Sequence, residues 1–356
     1  MTGNCSVALN WTAFSGYVPD AVLQFYVFYC CAVFIVGTIC SLVALWCVVS
    51  CPRTMLPVKV ILCALFSTTL LMCLLMMPFM AHLSLHKLWC DREISTSVLI
   101  VFIPGYVALN VMELFYIFVM ALLRALAVWA PQRGGLSLRT AVVVVVGIGL
   151  YNLSINMVGA AFWKQISSEY TGKVMLMVSN VLHYFLPMLL TLACYLSIIV
   201  TVKRNKRKLA ANQHAAEVTS LRRNKCNNDA SEHTTAMTPL RHSRCNPAAK
   251  HHAATAMDEA TRAMLAVFLS NFFFSLPNSI YNIWYFNHKF FSYVIMTSFF
   301  FTHLFVDPMV FVCFNQHHRR RVMKALRFYL SRSPREDMPT HDSQAIRSSS
   351  TRMSSQ

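Results

Sequence analysis

Apolar residues along the chain fall into seven long runs separated by short polar segments. The runs cover residues 24–50, 56–83, 94–123, 140–163, 174–202, 263–286 and 290–315. Most are longer than the roughly 18 residues above which an apolar stretch is read as a membrane-spanning helix. The pattern therefore predicts an all-α membrane protein, a seven-transmembrane helix bundle over residues 24–316.

Two polar segments and one mixed segment complete the pattern. Residues 203–258 contain many Asn, His, Ala and Thr with little periodicity, which predicts a flexible loop. Residues 331–356 are rich in Ser and Arg, which predicts a disordered tail. Residues 317–330 place apolar side chains on one helical face and basic ones on the other. This pattern indicates an amphipathic helix on the membrane surface, with a plain basic flank as the alternative.

Charge orients the bundle. Segments on one side of the predicted membrane hold 26 of the 31 Lys and Arg residues, and by the positive-inside rule that side is cytoplasmic. Residues 1–23 are then extracellular, and the C-terminus is cytoplasmic. Residues 1–23 show no cleavable signal peptide, and we expect the first span to direct insertion into the plasma membrane. The basic residues that give the chain its net charge of +17 lie next to the spans. This position favours the lipid bilayer over nucleic acid as their partner.

The sequons agree with this topology, and the cysteines indicate no metal site. Asn4 and Asn10 begin the sequons NCS and NWT, so glycosylation of the extracellular segment is expected. Cys5 and Cys90 lie in extracellular segments and form either a disulfide or two free thiols. No cysteine spacing suggests zinc, and no nucleophile–base pair or phosphate loop suggests an enzyme. We expect no catalytic residues, no metal and no cofactor, apart from an ion or proton at the acids described next.

Two acidic residues, Glu113 and Asp307, lie inside predicted spans. An ionisable group at that depth is costly, and it is a functional candidate by default. Arg124 in MALLRALAVWAP (residues 120–131) is the corresponding basic residue near a membrane edge.

Five local motifs carry a resemblance to a known family. They are MALLRALAVWAP, FLPMLLTLACYLSII with Pro187 and Tyr195, FFFSLPNSIY with Pro277, DPMVFVCFN with Asp307 and Pro308, and LLMMPFM with Pro78. In this order they resemble the rhodopsin-like class of G-protein-coupled receptors, over about residues 24–330. The sequence departs from the class pattern at Leu123 and Ala125 beside Arg124, at Ser275 in place of a tryptophan, and at Thr69 in place of an aspartate. The loop before the fifth span also lacks the class cysteine.

The resemblance implies roles for single residues. It implies an extracellular ligand, a heterotrimeric G protein that contacts Arg124, Tyr195 and Arg133, and an outward swing of the sixth span. The positions implied for that conformational change are Pro187, Ser275, Pro277, Asp307, Pro308 and Phe311. Arrestin is a further implied partner, through phosphorylation of Ser331, Ser333, Ser343, Ser348, Ser349, Ser350 and Thr351. Without an acid beside Arg124 we expect weak restraint of the inactive state and raised basal activity.

The resemblance also places two groups of polar residues. Thr69, Glu113, His303 and Asp307 would form a buried cluster that holds a sodium ion or shares a proton. Alternatively, Asp307 bonds only backbone and Glu113 is protonated. The implied ligand pocket is lined by Tyr106, Asn110, Ser179, His183, Asn278, Asn282 and Thr297. Tyr106 stands where amine receptors carry an aspartate, which disfavours an amine ligand.

The sequence is also compatible with other functions. The sixth and seventh spans faintly resemble prostanoid receptors, but Ser298 stands where those receptors place an arginine. The alternatives are a multi-pass transporter and a receptor-like protein that does not couple to G proteins. The odd number of spans and the lack of internal repeats disfavour the transporter.

Overall fold

The computed structural model describes residues 19–52, 54–89, 96–129, 136–163, 169–228, 247–284 and 290–331. Within these ranges the chain is entirely helical, with no strand. The α-helices are α1 Asp20–Val49, α2 Leu56–Leu71, α3 Met77–Leu88, α4 Thr96–Trp129, α5 Leu138–Trp163, α6 Glu169–Asn180, α7 Leu186–Asn228, α8 Pro247–Trp284, α9 Phe290–Phe301, α10 His303–Phe314 and α11 Gln316–Ser331. Two π-helical turns, Met72–Met76 and Val181–Phe185, join α2 to α3 and α6 to α7.

Seven of these helical segments are long and apolar enough to cross a membrane, which confirms the predicted bundle. They are Asp20–Val49, Leu56–His86, Val101–Trp129, Leu138–Gly159, Met177–Asn205, Thr261–Tyr281 and Phe291–Phe314, numbered here as spans one to seven. Large apolar side chains such as Phe28, Val143 and Phe273 are more than 60% exposed on the outside of the bundle. A surface of this kind fits a multi-pass membrane protein, because a large apolar surface is unfavourable in water and favourable in contact with lipid chains.

The third span lies at the centre of the packing. Helix α4 contacts α2, α5, α7 and α8, while α1 packs against α2, α3 and α10. The buried apolar core divides into two clusters. One occupies the half that holds Tyr195, Met264 and Phe311, and the other occupies the half that holds Tyr26, Met76 and Phe301. The buried polar side chains described below belong to neither cluster.

Close approach of three spans depends on a glycine. A Cβ atom added to Gly37 of α1 would lie 2.6 Å from Cys73 Sγ and 3.7 Å from the Leu304 carbonyl oxygen. Span one therefore packs directly on spans two and seven because this position has no side chain.

Prolines explain where the spans lose regular geometry. Each π-helical turn ends just before a proline, Pro78 in span two and Pro187 in span five. An interior proline removes a backbone hydrogen bond and crowds the preceding turn, so local winding adjusts. Span seven breaks at Thr302, whose backbone N–H bonds the Phe299 carbonyl at i−3. This break leaves carbonyl groups of span seven available for side chains.

The segment between spans five and six differs from the prediction in one respect. Residues 203–258 were expected to form a flexible loop, but α7 continues to Asn228 and α8 begins at Pro247. The prediction was wrong at these boundaries because Ala, Lys, Arg, Gln and Glu are strong helix formers even where no apolar stripe exists. Residues 229–246 lie outside the described ranges.

The predicted amphipathic helix is present as α11. Asn315 caps its first turn, because Asn315 Oδ1 accepts hydrogen bonds from the backbone N–H groups of His317 and His318. Met323, Leu326 and Phe328 are exposed apolar side chains on this helix, while Arg319 and Arg320 are exposed basic ones. This distribution fits a helix that lies against a membrane surface.

Candidate functional site

Glu113 of α4 lies in the interior of the bundle, with only 1% of its surface exposed. Thr69 Oγ1 donates a hydrogen bond of 3.3 Å to Glu113 Oε1, shared with one of 3.2 Å to the Leu65 carbonyl. Glu113 Oε2 lies 3.4 Å from His303 Nε2, within ion-pair distance, although its geometry is not that of a hydrogen bond. Spans two, three and seven therefore meet at this carboxyl group.

His303 is fully buried, and its ring is oriented by the break in span seven. Its Nδ1 donates a hydrogen bond to the Phe300 carbonyl oxygen, just before the break. Because a carbonyl oxygen can only accept, Nδ1 carries a hydrogen. Nε2 then faces Glu113 either as the second N–H of an imidazolium or as the acceptor of a proton from the carboxyl group. Transfer of one proton between His303 Nε2 and the Glu113 carboxyl group therefore converts an ion pair into a neutral pair.

Asp307 makes a second set of contacts, one helical turn after His303. Asn271 of α8 donates a hydrogen bond of 3.3 Å to Asp307 Oδ2, and Ser275 Oγ donates one of 3.3 Å to Asn271 Oδ1. Asp307, Asn271 and Ser275 are 2%, 3% and 2% exposed. Hydrogen bonds between side chains thereby link span seven to span six.

The structure brings most of the predicted polar cluster together. Thr69, Glu113 and His303 are in direct contact, and Asp307 shares the helical face of His303 at a spacing of four residues. Among the described residues Glu113 Oε2 and Asp307 Oδ1 accept no hydrogen bond. Across the described ranges, no three His, Cys, Asp or Glu side chains are grouped closely enough to hold a metal ion. The arrangement can hold a proton between two groups more readily than a tightly ligated metal.

Asn271, which joins Asp307 to Ser275, is not among the residues that the sequence predicts for the site. The signal for it was present, since Asn271 is an amide residue inside the apolar run of span six. The rule that singled out Glu113 applies to amides with less force, because an uncharged group costs less to bury.

The residues predicted to line a ligand pocket form two groups. Asn110 of α4 donates a hydrogen bond of 3.1 Å to the Tyr184 hydroxyl on span five. Tyr106 stacks edge-on against Phe300 and Phe301 of span seven, at ring-centroid distances of 6.4 and 6.0 Å. Asn278 and Thr297 are buried on spans six and seven. These four predicted residues therefore face the interior between spans three, five, six and seven.

His183 and Ser179 belong to a different contact. His183 Nδ1 donates to the Ser179 carbonyl at 2.9 Å, so Nε2 accepts a hydrogen bond of 3.0 Å from the Tyr151 hydroxyl. Tyr151 lies on span four and is 47% exposed. The π-helical turn Val181–Phe185 contains both His183 and Tyr184, and Tyr184 is the one that reaches Asn110. Only the backbone of the remaining predicted residue, Asn282, is described.

The predicted coupling residues lie at the opposite end of the bundle. Arg124 sits near the C-terminal end of α4, and it makes no hydrogen bond or ion pair with any residue that the structure describes. Tyr195 is 1% exposed, and its ring stacks on Phe268 of span six at 5.4 Å. Arg124 and Tyr195 are near enough to interact electrostatically. Arg133 lies outside the described residues.

The positions implied for the conformational change lie within helices. Pro277 is interior to α8 and Pro308 to α10, so each span contains a proline where a bend can form. Pro187 is buried at the start of α7, and its carbonyl accepts a hydrogen bond of 2.7 Å from Thr191. Phe311 packs on Phe66 of span two at 4.9 Å.

Several predicted sites lie outside the described residues and stay predictions. These are the sequons at Asn4 and Asn10, the pair Cys5 and Cys90, and the phosphorylation positions Ser333, Ser343, Ser348, Ser349, Ser350 and Thr351. Ser331 is described only as the last residue of α11.

Comparison with known proteins adds one finding to this geometry. No protein-family model matches the chain, and no curated protein matches its sequence. Among solved structures, squid rhodopsin is similar with a TM-score of 0.67 at 13% sequence identity, over 91% of this chain and 90% of that one. At this identity the likeness speaks for architecture and not for ligand or partner. The chain has the seven-helix fold of rhodopsin.

Proposed function

We propose that this protein is a cell-surface receptor that transmits the binding of an extracellular ligand to a cytoplasmic heterotrimeric G protein. Its N-terminus is extracellular, its C-terminus is cytoplasmic, and it resides in the plasma membrane. The ligand enters between spans three, five, six and seven, beside Asn110 and Tyr184. Activation moves the cytoplasmic end of span six outward and exposes Arg124 and Tyr195 to the G protein. Arrestin binds the phosphorylated tail.

The buried polar connection between spans is the observation that supports this proposal most directly. Spans two, three and seven meet at Glu113, and spans six and seven meet at Asp307 through Asn271. Hydrogen bonds between buried polar groups are costly to break and directional, so they favour discrete helix arrangements over gradual ones. A bundle held this way is suited to switching between two states, as a receptor requires.

A G-protein activation screen tests the coupling. The full-length chain, expressed in cells, is compared with Arg124→Ala and with Arg139→Ala, an exposed arginine on the same membrane side. We expect ligand-independent activation of at least one G-protein class that is lost in Arg124→Ala and kept in Arg139→Ala. No signal from wild type in any G-protein class, with normal surface expression, would favour the receptor-like protein that does not couple.

Raised basal activity is the second expectation from this site. Leu123 and Ala125 leave Arg124 without an acidic neighbour in sequence, and Arg124 has no ion-pair partner among the described residues. Asp258 and Glu259 at the start of span six are the nearest acids along the opposing helix, and their side chains lie outside the described ones. A basal signal equal to that of mock-transfected cells would contradict weak restraint.

The polar pair at Glu113 is the candidate regulator of this switch. The unsatisfied oxygens of Glu113 and Asp307 would take a proton or a sodium ion when the spans are close together. Glu113→Gln removes the charge and keeps the shape. Signalling of this variant should lose its dependence on sodium, on pH or on both. Unchanged dependence on both would show that the pair is only structural.

A further inference from the structure

A small cavity lies at the cytoplasmic end of the bundle, where six helices converge. It has a volume of about 30 Å³, and its walls include Thr54, Arg124, Met264, Asn315 and His318. A cavity of that size has room for more than one water-sized sphere, but no room for a large polyatomic group. It is distinct from the polar pair at Glu113, because none of its walls belongs to that cluster.

The charge balance around this cavity is one-sided. Arg124 makes no ion pair among the described residues, and the three acids whose side chains are described, Asp20, Glu113 and Asp307, do not line the cavity. On α11 the neighbouring charged residues are all basic. Arg321 donates a hydrogen bond to the Ser50 carbonyl and lies over the Trp46 ring at 6.0 Å. A buried or half-buried guanidinium without a counter-charge is unfavourable in a medium of low dielectric constant.

The remaining polar walls can donate hydrogen bonds. His318 is 2% exposed, its ring packs on Phe311 at 5.2 Å, and its Nδ1 has no partner among the described residues. The Asn315 side-chain oxygen caps α11, so the donors that this cavity-lining side chain has left to offer are its amide N–H groups. Thr54 adds a hydroxyl group. Asn315 and His318 also mark the N-terminus of α11, a 16-residue helix whose dipole favours negative charge at that end.

The surroundings of His318 agree with this polarity. Burial and the positive charges of His317 and Arg321 lower the pKa of His318 from 6.5 to about 4. The imidazole is therefore neutral at neutral pH and presents one N–H donor and one acceptor. The positive charge of Arg321, which contributes to this lowering, also attracts an anion.

We infer that this cavity is a binding site for a single small monovalent anion of the size of chloride, held by Arg124, His318, Asn315 and Thr54. The anion neutralises Arg124, for which the chain supplies no described carboxylate. A chloride ion fits a cavity of this volume, and its single negative charge matches the single positive charge of Arg124, whereas divalent phosphate or sulfate does not match it. The competing occupant of the same space is water alone.

A bound anion would also connect helices that the proposed switch separates. The cavity is closed on one side by Arg124 of span three and on another by Met264 of span six, which is 1% exposed. Outward movement of span six removes that wall and releases the ion. The anion would then favour the inactive arrangement, a consequence that rests on the proposed receptor function, although the binding site itself does not.

Thermal unfolding of the purified full-length chain in lipid nanodiscs tests the site without any G protein. The medium contains sodium gluconate, which is replaced stepwise by sodium chloride, sodium bromide or sodium phosphate at constant ionic strength. We expect a saturable rise in the unfolding midpoint with chloride and bromide, about 2 °C at ten times the dissociation constant, and no saturable rise with phosphate. Line broadening of the ³⁵Cl resonance by wild-type protein gives a second readout that does not depend on variants folding.

Three variants locate the effect. Arg124→Gln and His318→Leu should each abolish the chloride-dependent rise, while Arg320→Gln, which removes an exposed charge from the same helix, should keep it. Equal midpoints in chloride and gluconate together with no ³⁵Cl broadening would mean that the cavity holds only water. A chloride response that survives Arg124→Gln would place the ion elsewhere. A response that appears only after Asp258→Asn and Glu259→Gln would show that these acids neutralise Arg124 instead, and each of these three results overturns the proposal.

Discussion

Tyr29 of span one donates a hydrogen bond of 2.6 Å to the backbone carbonyl of Ser298, at the point where span seven departs from regular helix. The Tyr29 oxygen also lies 2.8 Å from Thr302 Oγ1, and Thr302 Oγ1 donates back to the Ser298 carbonyl at 3.2 Å. The carbonyl is available because the Thr302 N–H bonds Phe299 at i−3 instead. Span one thus stabilises the irregular geometry that also presents the Phe300 carbonyl to His303.

Tyr29→Phe removes this interaction while keeping the aromatic ring. We expect the free energy of unfolding to fall by about 1 kcal/mol, the usual net value of one hydrogen bond. Chemical unfolding of wild type, Tyr29→Phe, Thr302→Val and the double variant in nanodiscs measures the coupling between the two side chains. Strictly additive effects would show that Tyr29 and Thr302 act independently.

Gly37 predicts a second effect, on packing. In Gly37→Ala the new methyl group would approach Cys73 Sγ at 2.6 Å, so spans one and two must separate or distort. Overpacking of this kind costs about 1–3 kcal/mol, which thermal unfolding detects. Adding Cys73→Ala should restore most of the loss, because the sulfur atom is what the methyl group meets.

Gly147→Ala in span four is the matched control for this substitution. A Cβ atom there meets nothing within 4 Å, so the change should be neutral or slightly stabilising. If Gly37→Ala and Gly147→Ala had the same effect, close packing at Gly37 would not be the cause.

Hydropathy alone was sufficient to predict the seven spans and the helix that follows them. Both depend on one-dimensional patterns: run length for a span, and spacing of three to four residues for the apolar face of α11. The extent of the polar helical segments between spans five and six was not predicted, because a polar helix without a buried face leaves no such pattern. Residues 203–228 illustrate this, since only their intrinsic propensity distinguishes them from a loop.

The candidate site was predicted in part, and the failures have physical causes. Glu113 and His303 could be predicted because ionisable residues are rare inside membrane spans. They lie together because an ionisable group buried at that depth requires a polar partner. Tyr184 was missed because a π-helical turn changes which residue faces Asn110, and counting from a proline assumes regular winding. Asn271 was missed because an amide in an apolar run is too common to stand out.

Glu113 and His303 should show strong energetic coupling. Glu113→Leu and His303→Leu each break the ion-pair contact and leave one buried polar atom, His303 Nε2 or Glu113 Oε2, without it, a loss of about 3 kcal/mol or more. The double variant replaces both groups with apolar side chains, so its loss should be clearly smaller than the sum of the two. Urea or thermal unfolding in nanodiscs gives the coupling free energy. A loss in the double variant equal to the sum of the two single losses would contradict an energetic contact at 3.4 Å.

The pH dependence of stability should carry a contribution from His318. Its pKa is lowered to about 4 in the folded protein by burial and by the charges of His317 and Arg321, while the unfolded chain has the ordinary value of 6.5. The unfolded state therefore binds more protons between these values, and stability must fall as pH decreases from about 6.5 towards 4. Above pH 6.5 the contribution is fully present and constant.

His318→Phe removes this titration and keeps an aromatic ring against Phe311. In gluconate, we expect the unfolding midpoint temperature to fall further for wild type than for the variant between about pH 7 and pH 5. In chloride the difference should narrow, because a bound anion favours the protonated imidazole and raises its pKa. Identical pH profiles for wild type and His318→Phe in gluconate would show that His318 is not held neutral by its surroundings. If wild type and His318→Phe differ in gluconate and differ by the same amount in chloride, His318 is a buried histidine that does not contact the anion.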